Sequence, residues 1–309
     1  MQINFFDGQL RASQSLELMA KYIVEGFISG LHKSPYQGFS VEFAEHRAYT
    51  IGESTRHLDW KLLARTDRHF VKRFEAETNL RCWCVIDTSA SMFYPLQRKI
   101  DINKPNKLVF SLLATASIIH LLKSQRDAFG LAFSSSHLSY KSDARLNSLH
   151  QRQLFEKMAQ LLESEPVKGE TNLAKSLHQL ADQLPNRSLV LVFTDLFETE
   201  MGKDALNAAF QHLRFKKHEV SIFHVTDSQT ELLFDFENQP LRFIDAESGE
   251  VVDIEPNEIK EFYTKAIAEF VEEMKLRCGL AGIEWVSADI SKSVSAVLLE
   301  FIKKRTKMY

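Results

Sequence analysis

Three things are scarce in this 309-residue sequence, and each scarcity narrows what the protein can be. Cysteine comes first, with only Cys82, Cys84 and Cys278. Cys82 and Cys84 would project to the same face of one strand, too cramped to bond each other. An odd, sparse count suits a reducing compartment rather than a disulfide scaffold. Charge of one sign is scarce too. With 38 Lys plus Arg against 41 Asp plus Glu, the formal net charge of -3 gives no bulk drive toward nucleic acid or an anionic membrane. The basic clusters, Arg214 with Lys216 and Lys217, and Lys303-Lys304-Arg305, sit where helix ends favour cations anyway. Long apolar runs are also missing. The longest, Leu108 to Leu122, is interrupted by Ser111, Thr115, Ser117 and His120. It falls short of the ~20 residues that span a bilayer. Met1 to Leu10 has no basic region leading into an apolar stretch, so no signal peptide and no transmembrane segment is expected, and the chain reads as cytoplasmic.

Signatures of catalysis are absent as well. No Gly-x-Ser-x-Gly elbow, Gly-x-x-x-x-Gly-Lys phosphate loop or His-Glu-x-x-His pair occurs. The chain reads as a non-enzyme. The alternative is a metal-dependent hydrolase of phosphatase or nuclease type using Asp87 and Asp195, although such sites normally gather more carboxylates around two metals.

What is present is ordinary globular material: 44% hydrophobic residues, 23 of them Phe, in a chain long enough to bury a full core without staples. Residues 1–29 form an arm and a helix, with Leu16, Met19, Tyr22, Ile23 and Phe27 at helical spacing. Residues 30–79 read as a small β-rich subdomain. It has turns at glycine and short alternating stretches at Phe39–Phe43 and His69–Phe74. Its four histidines, His32, His46, His57 and His69, lack a His-x-x-x-His pair, and structural histidines are favoured over a zinc site. From residue 80 to 309 the pattern alternates regularly. Strands are expected at Cys82–Ile86, Asp127–Phe133, Leu189–Phe193, Val220–Val225 and Ile283–Val286, with a hairpin near 241–254. Helices between them imply an α/β fold with a doubly wound, mostly parallel sheet of Rossmann-like type.

Three stretches end in oxygen-bearing residues where the carboxyl edge of that sheet should lie. They are Asp87-Thr88-Ser89-Ala90-Ser91, Gly169-Glu170-Thr171-Asn172, and Thr194-Asp195 after the wholly apolar Leu189–Phe193. Asp, Ser and Ser at alternate positions turn three oxygens the same way, which suits a hard cation. The competing reading makes Asp87 and Ser91 helix caps and Thr171 the N-cap of its helix.

In chain order and strand context, Asp87, Ser89, Ser91, Thr171 and Asp195 resemble the metal-ion-dependent adhesion site of the von Willebrand factor A (vWA) fold. That resemblance implies a metal site built from these five residues for Mg²⁺, with Mn²⁺ or Ca²⁺ as alternatives. Few anionic direct ligands would leave the metal electrophilic, so that a partner's acidic side chain completes its shell.

A second resemblance covers most of the chain from about Leu31. Gly38-Phe39-Ser40-Val41-Glu42-Phe43, His46-Arg47-Ala48-Tyr49, Gly52-Glu53, Arg56-His57-Leu58-Asp59-Trp60-Lys61 and Ala64-Arg65 resemble a bacterial domain-of-unknown-function family, number fifty-eight. So do Lys72-Arg73-Phe74-Glu75, the Asp87 run through Met92, and Phe243-Ile244-Asp245-Ala246-Glu247-Ser248-Gly249-Glu250. Glu53 departs from the Asp typical of that family but keeps its charge. The resemblance implies a protein–protein interaction role, as adaptor or cofactor of a MoxR-type AAA+ ATPase or its client in protein maturation or stress tolerance. Arg47, Arg56, Trp60 and Arg65 have two readings. They either clamp an ion-paired subdomain to the sheet or form a docking surface for that partner.

Overall fold

The computed structural model of the chain describes residues 11–29, 45–48, 63, 65, 70–73, 80–97, 101, 103–166, 171–197 and 200–308. In order these form α1 (Ala12–Ser29), β1 (Glu45–Ala48), β2 (Phe70–Arg73) and β3 (Arg81–Asp87), followed by a single 3-10 turn at Ala90–Phe93. Next come α2 (Lys107–Ser124), β4 (Ala128–Ser134), β5 (Leu138–Lys141), α3 (Ser148–Leu162), α4 (Leu173–Gln183), β6 (Leu189–Thr194), α5 (Glu200–Phe215) and β7 (Glu219–Thr226). The chain continues with β8 (Leu241–Ile244), β9 (Val251–Ile254), α6 (Pro256–Leu280), β10 (Glu284–Asp289) and α7 (Val294–Met308).

The central sheet has six strands in the order β10-β7-β6-β3-β4-β5. Every pairing is parallel except that of β5, which turns back antiparallel on β4. This is the doubly wound, mostly parallel arrangement of Rossmann-like type expected from the alternation of strands and helices. Its topology decides where a site can form. After β3 the chain builds β4 and β5 on one side, then crosses back to lay β6 against the other side of β3. Loops leaving β3 and β6 therefore diverge, and their carboxyl ends flank a switch-point crevice. Asp87 ends β3 and Thr194 ends β6.

Both faces of the sheet are covered, which is why β6 is apolar from Leu189 to Phe193 and buried at all its positions. Alternate residues of β3 serve opposite faces. Cys82, Cys84 and Ile86 enter a core with α1, α2, α3 and α7. Trp83 and Val85 enter a second core with α4, α5 and α6. α1 packs on the sheet's helices: Leu16, Met19, Ala20 and Val24 are buried in the first core. α2 is, among the described residues, the one helix long and apolar enough to cross a membrane, yet most of it lies buried inside the protein. α6 runs to Leu280, and in its last turns Met274 and Cys278, one turn apart, are buried against the second face.

Of the expected β-rich subdomain, β1 and β2 pair antiparallel, with His46 opposite Lys72 and Arg47 opposite Val71. Arg65 is exposed. Phe39–Phe43, Arg56 and Trp60 lie outside the described residues, as do His32, His57 and His69.

One glycine in the sheet has a steric reason. Gly130 of β4 lies opposite Trp83 in register, and a Cβ there would stand 2.5 Å from the indole nitrogen. The missing side chain lets the Trp83 ring cross β4 and donate its N–H to the Ser142 carbonyl at 3.0 Å. Gly130→Ala is expected to cost about 1–3 kcal/mol by overpacking. Urea unfolding followed by tryptophan fluorescence reads both the loss and the displaced ring. An unchanged midpoint would show that the ring has another place to go.

Candidate functional site

The buried carboxylate of Asp87 joins the two central strands. Its Oδ1 accepts from the Ser89 backbone N–H at 2.9 Å, closing a local turn. Its Oδ2 accepts from the Thr194 hydroxyl at 2.7 Å, across the switch point. The turn points Ser89 and Ser91 together, with their Oγ atoms 3.0 Å apart.

The second loop is brought in by backbone. Thr88 N–H donates to the Ser134 carbonyl at 2.7 Å, and Asn172 N–H donates to the Ser135 carbonyl at 3.0 Å. Neighbouring carbonyls at the end of β4 thus hold the Asp87 loop and the Thr171 loop side by side. The third loop follows β6 directly. Asp195 is buried, and the Ser91 hydroxyl beside it favours its charge. The chain then turns through Leu196, a buried non-glycine residue with φ of 54°. That conformation costs about 1–2 kcal/mol and persists only where the surroundings enforce it. Here the Leu196 N–H is bonded to the Thr194 hydroxyl at 3.1 Å.

The capping alternative fails for Thr171, and Ser91 lies inside the 3-10 turn rather than ahead of it. Ser89 precedes the 3-10 turn but makes no side-chain cap bond. Asn172, not Thr171, caps α4, accepting from Lys175 N–H at 2.8 Å. The Thr171 hydroxyl donates instead to Glu247 Oε1 at 3.0 Å, and Glu247 comes from the turn between β8 and β9.

Acids outnumber the cation bonded to them. Lys107, fully buried at the start of α2, donates to Asp195 Oδ2 at 2.7 Å and also to Glu231. Burial disfavours its charge, but Asp195 and Glu231 outweigh that and hold the ammonium above the usual lysine value. Burial likewise opposes the charge on Asp195, and Lys107 overcomes it, so Asp195 stays below the ordinary carboxylate value. Among the described residues Asp87 has no such partner. Burial first and the Asp195 charge second push its carboxyl up to about 6. His224, which donates from Nε2 to the Asp195 carbonyl at 3.1 Å, brings no charge, because burial pushes it down to about 4. Among the described residues one cation, Lys107, is bonded to these acids, and Asp195 and Glu231 share it.

The donor set fits a small divalent cation. Adjacent oxygens on an octahedron with arms of ~2.1 Å stand ~3.0 Å apart. In the Ser89–Ser91 and Thr171–Glu247 pairs the two oxygens, hydrogen-bonded to each other, stand 3.0 Å apart and would need no large shift to share a cation. Among the described residues no set of three or more His, Cys, Asp and Glu side chains gathers as a metal centre. What gathers is a mixed set of hydroxyls and carboxylates.

Of the five residues read from sequence, Asp87, Ser89, Ser91 and Asp195 are joined by direct hydrogen bonds or charge. Thr171 is joined through Glu247, on which Asp195 acts as a like charge. Sequence reasoning missed Lys107, Glu231 and Glu247 as members of the site. Lys107 did carry a signal. A cation in the first turn of a helix opposes the helix dipole, so it needs an acid elsewhere.

Comparison with known proteins settles the family. The profile of DUF58, described as a protein of unknown function, matches residues 45–273. The chain belongs to the DUF58 family. Among curated relatives, the uncharacterized proteins Rv1480 of Mycobacterium tuberculosis H37Rv and Mb1516 of Mycobacterium bovis are each 26% identical over 242 residues. The match covers 78% of this chain and 71% of theirs. Among solved structures, BatB from Bacteroides thetaiotaomicron shares 17% identity at a TM-score of 0.42, covering 74% of this chain and 99% of that one. An aerotolerance-related membrane protein from Bacteroides fragilis shares 13% at 0.44, covering 74% and 100%. The PilB minor pilin of Streptococcus sanguinis shares 11% at 0.47, covering 78% and 65%.

Proposed function

We propose that this DUF58 protein is a divalent-cation-dependent protein-binding module of the metal-ion-dependent adhesion type. Asp87, Ser89, Ser91, Thr171 and Asp195 hold Mg²⁺, and the partner is a MoxR-type AAA+ ATPase or its client. The observation that carries this reading is the convergence of three loops at the switch point, with hydroxyls grouped around two buried carboxylates of which, among the described residues, only Asp195 has a cationic partner. The bound cation supplies an electrophilic position that a partner's carboxylate can fill. The chain's own residues do the rest. Asp87 ties β3 to β6, Lys107 holds Asp195 ionised and oriented, and the serines offer neutral oxygens. Phe197, Met201 and Leu96, on loops or helix starts beyond β6 and β3, are exposed apolar side chains of the kind that form an interface core around a central charge. A reducing compartment suits the three free, buried cysteines.

Mg²⁺ at a hundred times its Kd is expected to stabilise the protein by about 2.7 kcal/mol through mass action. The gain is read as a rise in Tm that EDTA reverses and Asp87→Ala abolishes. Mn²⁺ and Ca²⁺ titrated in parallel rank the metals. Capture of the ATPase should follow the same pattern of Mg²⁺, EDTA and Asp87→Ala. Equal Tm with and without every one of these cations would sink the metal site. Asp87-dependent turnover of a phosphate ester would replace the binding module with a hydrolase.

A further inference from the structure

Glu247 sits where an acid has no reason to be. It lies at the tip of an otherwise exposed hairpin turn, yet it is half-buried while Asp245, Ala246, Ser248 and Glu250 around it are exposed. Its carboxylate accepts from Thr171 and is repelled by Asp195. Partial burial of a charge beside a like charge is uphill unless a cation offsets it.

The fold nevertheless holds this side chain in place with two devices. The first is the turn itself. Asp245 Oδ1 accepts from the N–H groups of Glu247 at 2.7 Å and Ser248 at 3.2 Å, and the Asp245 carbonyl accepts from Gly249 at 2.9 Å. Gly249 has φ of +76°, a conformation that side-chain-bearing residues rarely adopt. The second is an aromatic anchor at the base of the hairpin. Phe243 of β8 stacks on Phe234 at 5.8 Å and meets Phe236 edge-on at 5.2 Å, and Phe234 packs on Tyr263 of α6 at 4.6 Å. Anchor and turn together present one carboxylate to the carboxyl edge of the sheet.

We propose that Glu247 is a ligand the chain supplies to its own cation, completing the shell through a carboxylate oxygen until a partner's acidic side chain replaces it. This rests on the cation site proposed above and adds to it an internal occupant. The β8–β9 hairpin is then a built-in competitor. A partner must out-compete a tethered carboxylate, so only an acidic side chain backed by further contacts opens the site.

Mn²⁺ is the probe, used with the full chain. The number of exchangeable waters on bound Mn²⁺, read by water-proton relaxation, is expected to rise by about one in Glu247→Ala, with affinity about tenfold weaker. Asp245→Ala, which unlocks the turn without altering the carboxylate, should shift both readouts the same way by less. Mn²⁺ should also slow amide exchange over residues 241–254 in the wild type and leave it unchanged in Glu247→Ala. Both substitutions fall in an exposed turn, and matching circular dichroism and Tm without metal confirm intact folds. Wild type that binds Mn²⁺ with the same hydration and affinity as Glu247→Ala overturns the internal ligand and leaves the metal site standing. Wild type that binds no Mn²⁺ overturns both.

Discussion

Replacing Lys107 with methionine is expected to destabilise the protein by about 3–5 kcal/mol, the usual cost of removing one partner from a buried ion pair. The ammonium is fully buried and bonded to two carboxylates, Asp195 and Glu231. Methionine fills similar space, so the loss reflects charge rather than a cavity. It leaves Asp195 buried beside Asp87 with nothing to offset either. It also releases Glu231, whose other oxygen accepts from Asp227 N–H at 2.8 Å and holds the segment after β7 near the site. Urea unfolding of Lys107→Met gives the total. Adding Glu231→Gln to that variant should recover part of it, since one orphaned charge is gone. A Lys107→Met protein within about 0.5 kcal/mol of wild type would mean that the acids are solvated or protonated without it.

The second large effect is a pH dependence. His224 lies on β7, is almost wholly buried, and packs its ring on Trp285 at 4.7 Å. Burial pushes it down to about 4. The nearby Lys107 and Lys275 charges push the same way, and Asp195 opposes them. In the unfolded chain it takes up a proton near pH 6.5. Between those values the unfolded state binds the proton and the folded state does not. Stability is therefore present above pH 6.5 and lost as pH falls, by about 3 kcal/mol at pH 4. Asp87 works in the opposite direction. Its carboxyl, raised to about 6, makes the folded state bind the proton first, so its contribution falls as pH rises from the usual carboxylate range toward 6. The two partly cancel in the wild type, so the expected result is a difference. His224→Gln keeps an N–H for the Asp195 carbonyl but does not titrate. Compared by urea unfolding from pH 7 to pH 4, wild type should lose about 3 kcal/mol more than the variant. Parallel curves would mean that the ring reaches water.

Local pattern carried most of the fold. Apolar runs of strand length alternate with helical periodicity from residue 80 onward, and each became a strand or helix within a few residues of its expected bounds. The reason is physical. Strands covered on both faces must be apolar throughout, and the helices covering them must be apolar along one side. Asp87 and Asp195 could be read from sequence for a related reason. A carboxylate that directly follows such a run marks the point where the chain leaves the core. Within residues 30–79 β1 pairs with β2, while Phe39–Phe43, Arg56 and Trp60 lie outside the described residues.

Other features depended on contacts between distant parts of the chain. Thr171 and Asn172 are equally good caps by type, and only the packing of the α4 N-terminus against the end of β4 gives the cap to Asn172 and turns Thr171 toward the site. Lys107 meets Glu231 across 124 positions, and Thr171 meets Glu247 across 76. No periodicity spans such separations, because these bonds form where the sheet order and the β8–β9 hairpin bring remote loops together. The sequence by itself determined the layered α/β architecture and the two carboxylates at its switch point, since burial and local periodicity act over a few residues. The tertiary structure alone decided that Lys107 pairs with Asp195 and that Glu247 meets Thr171, since charges and donors brought together by the fold interact through space whatever their distance along the chain.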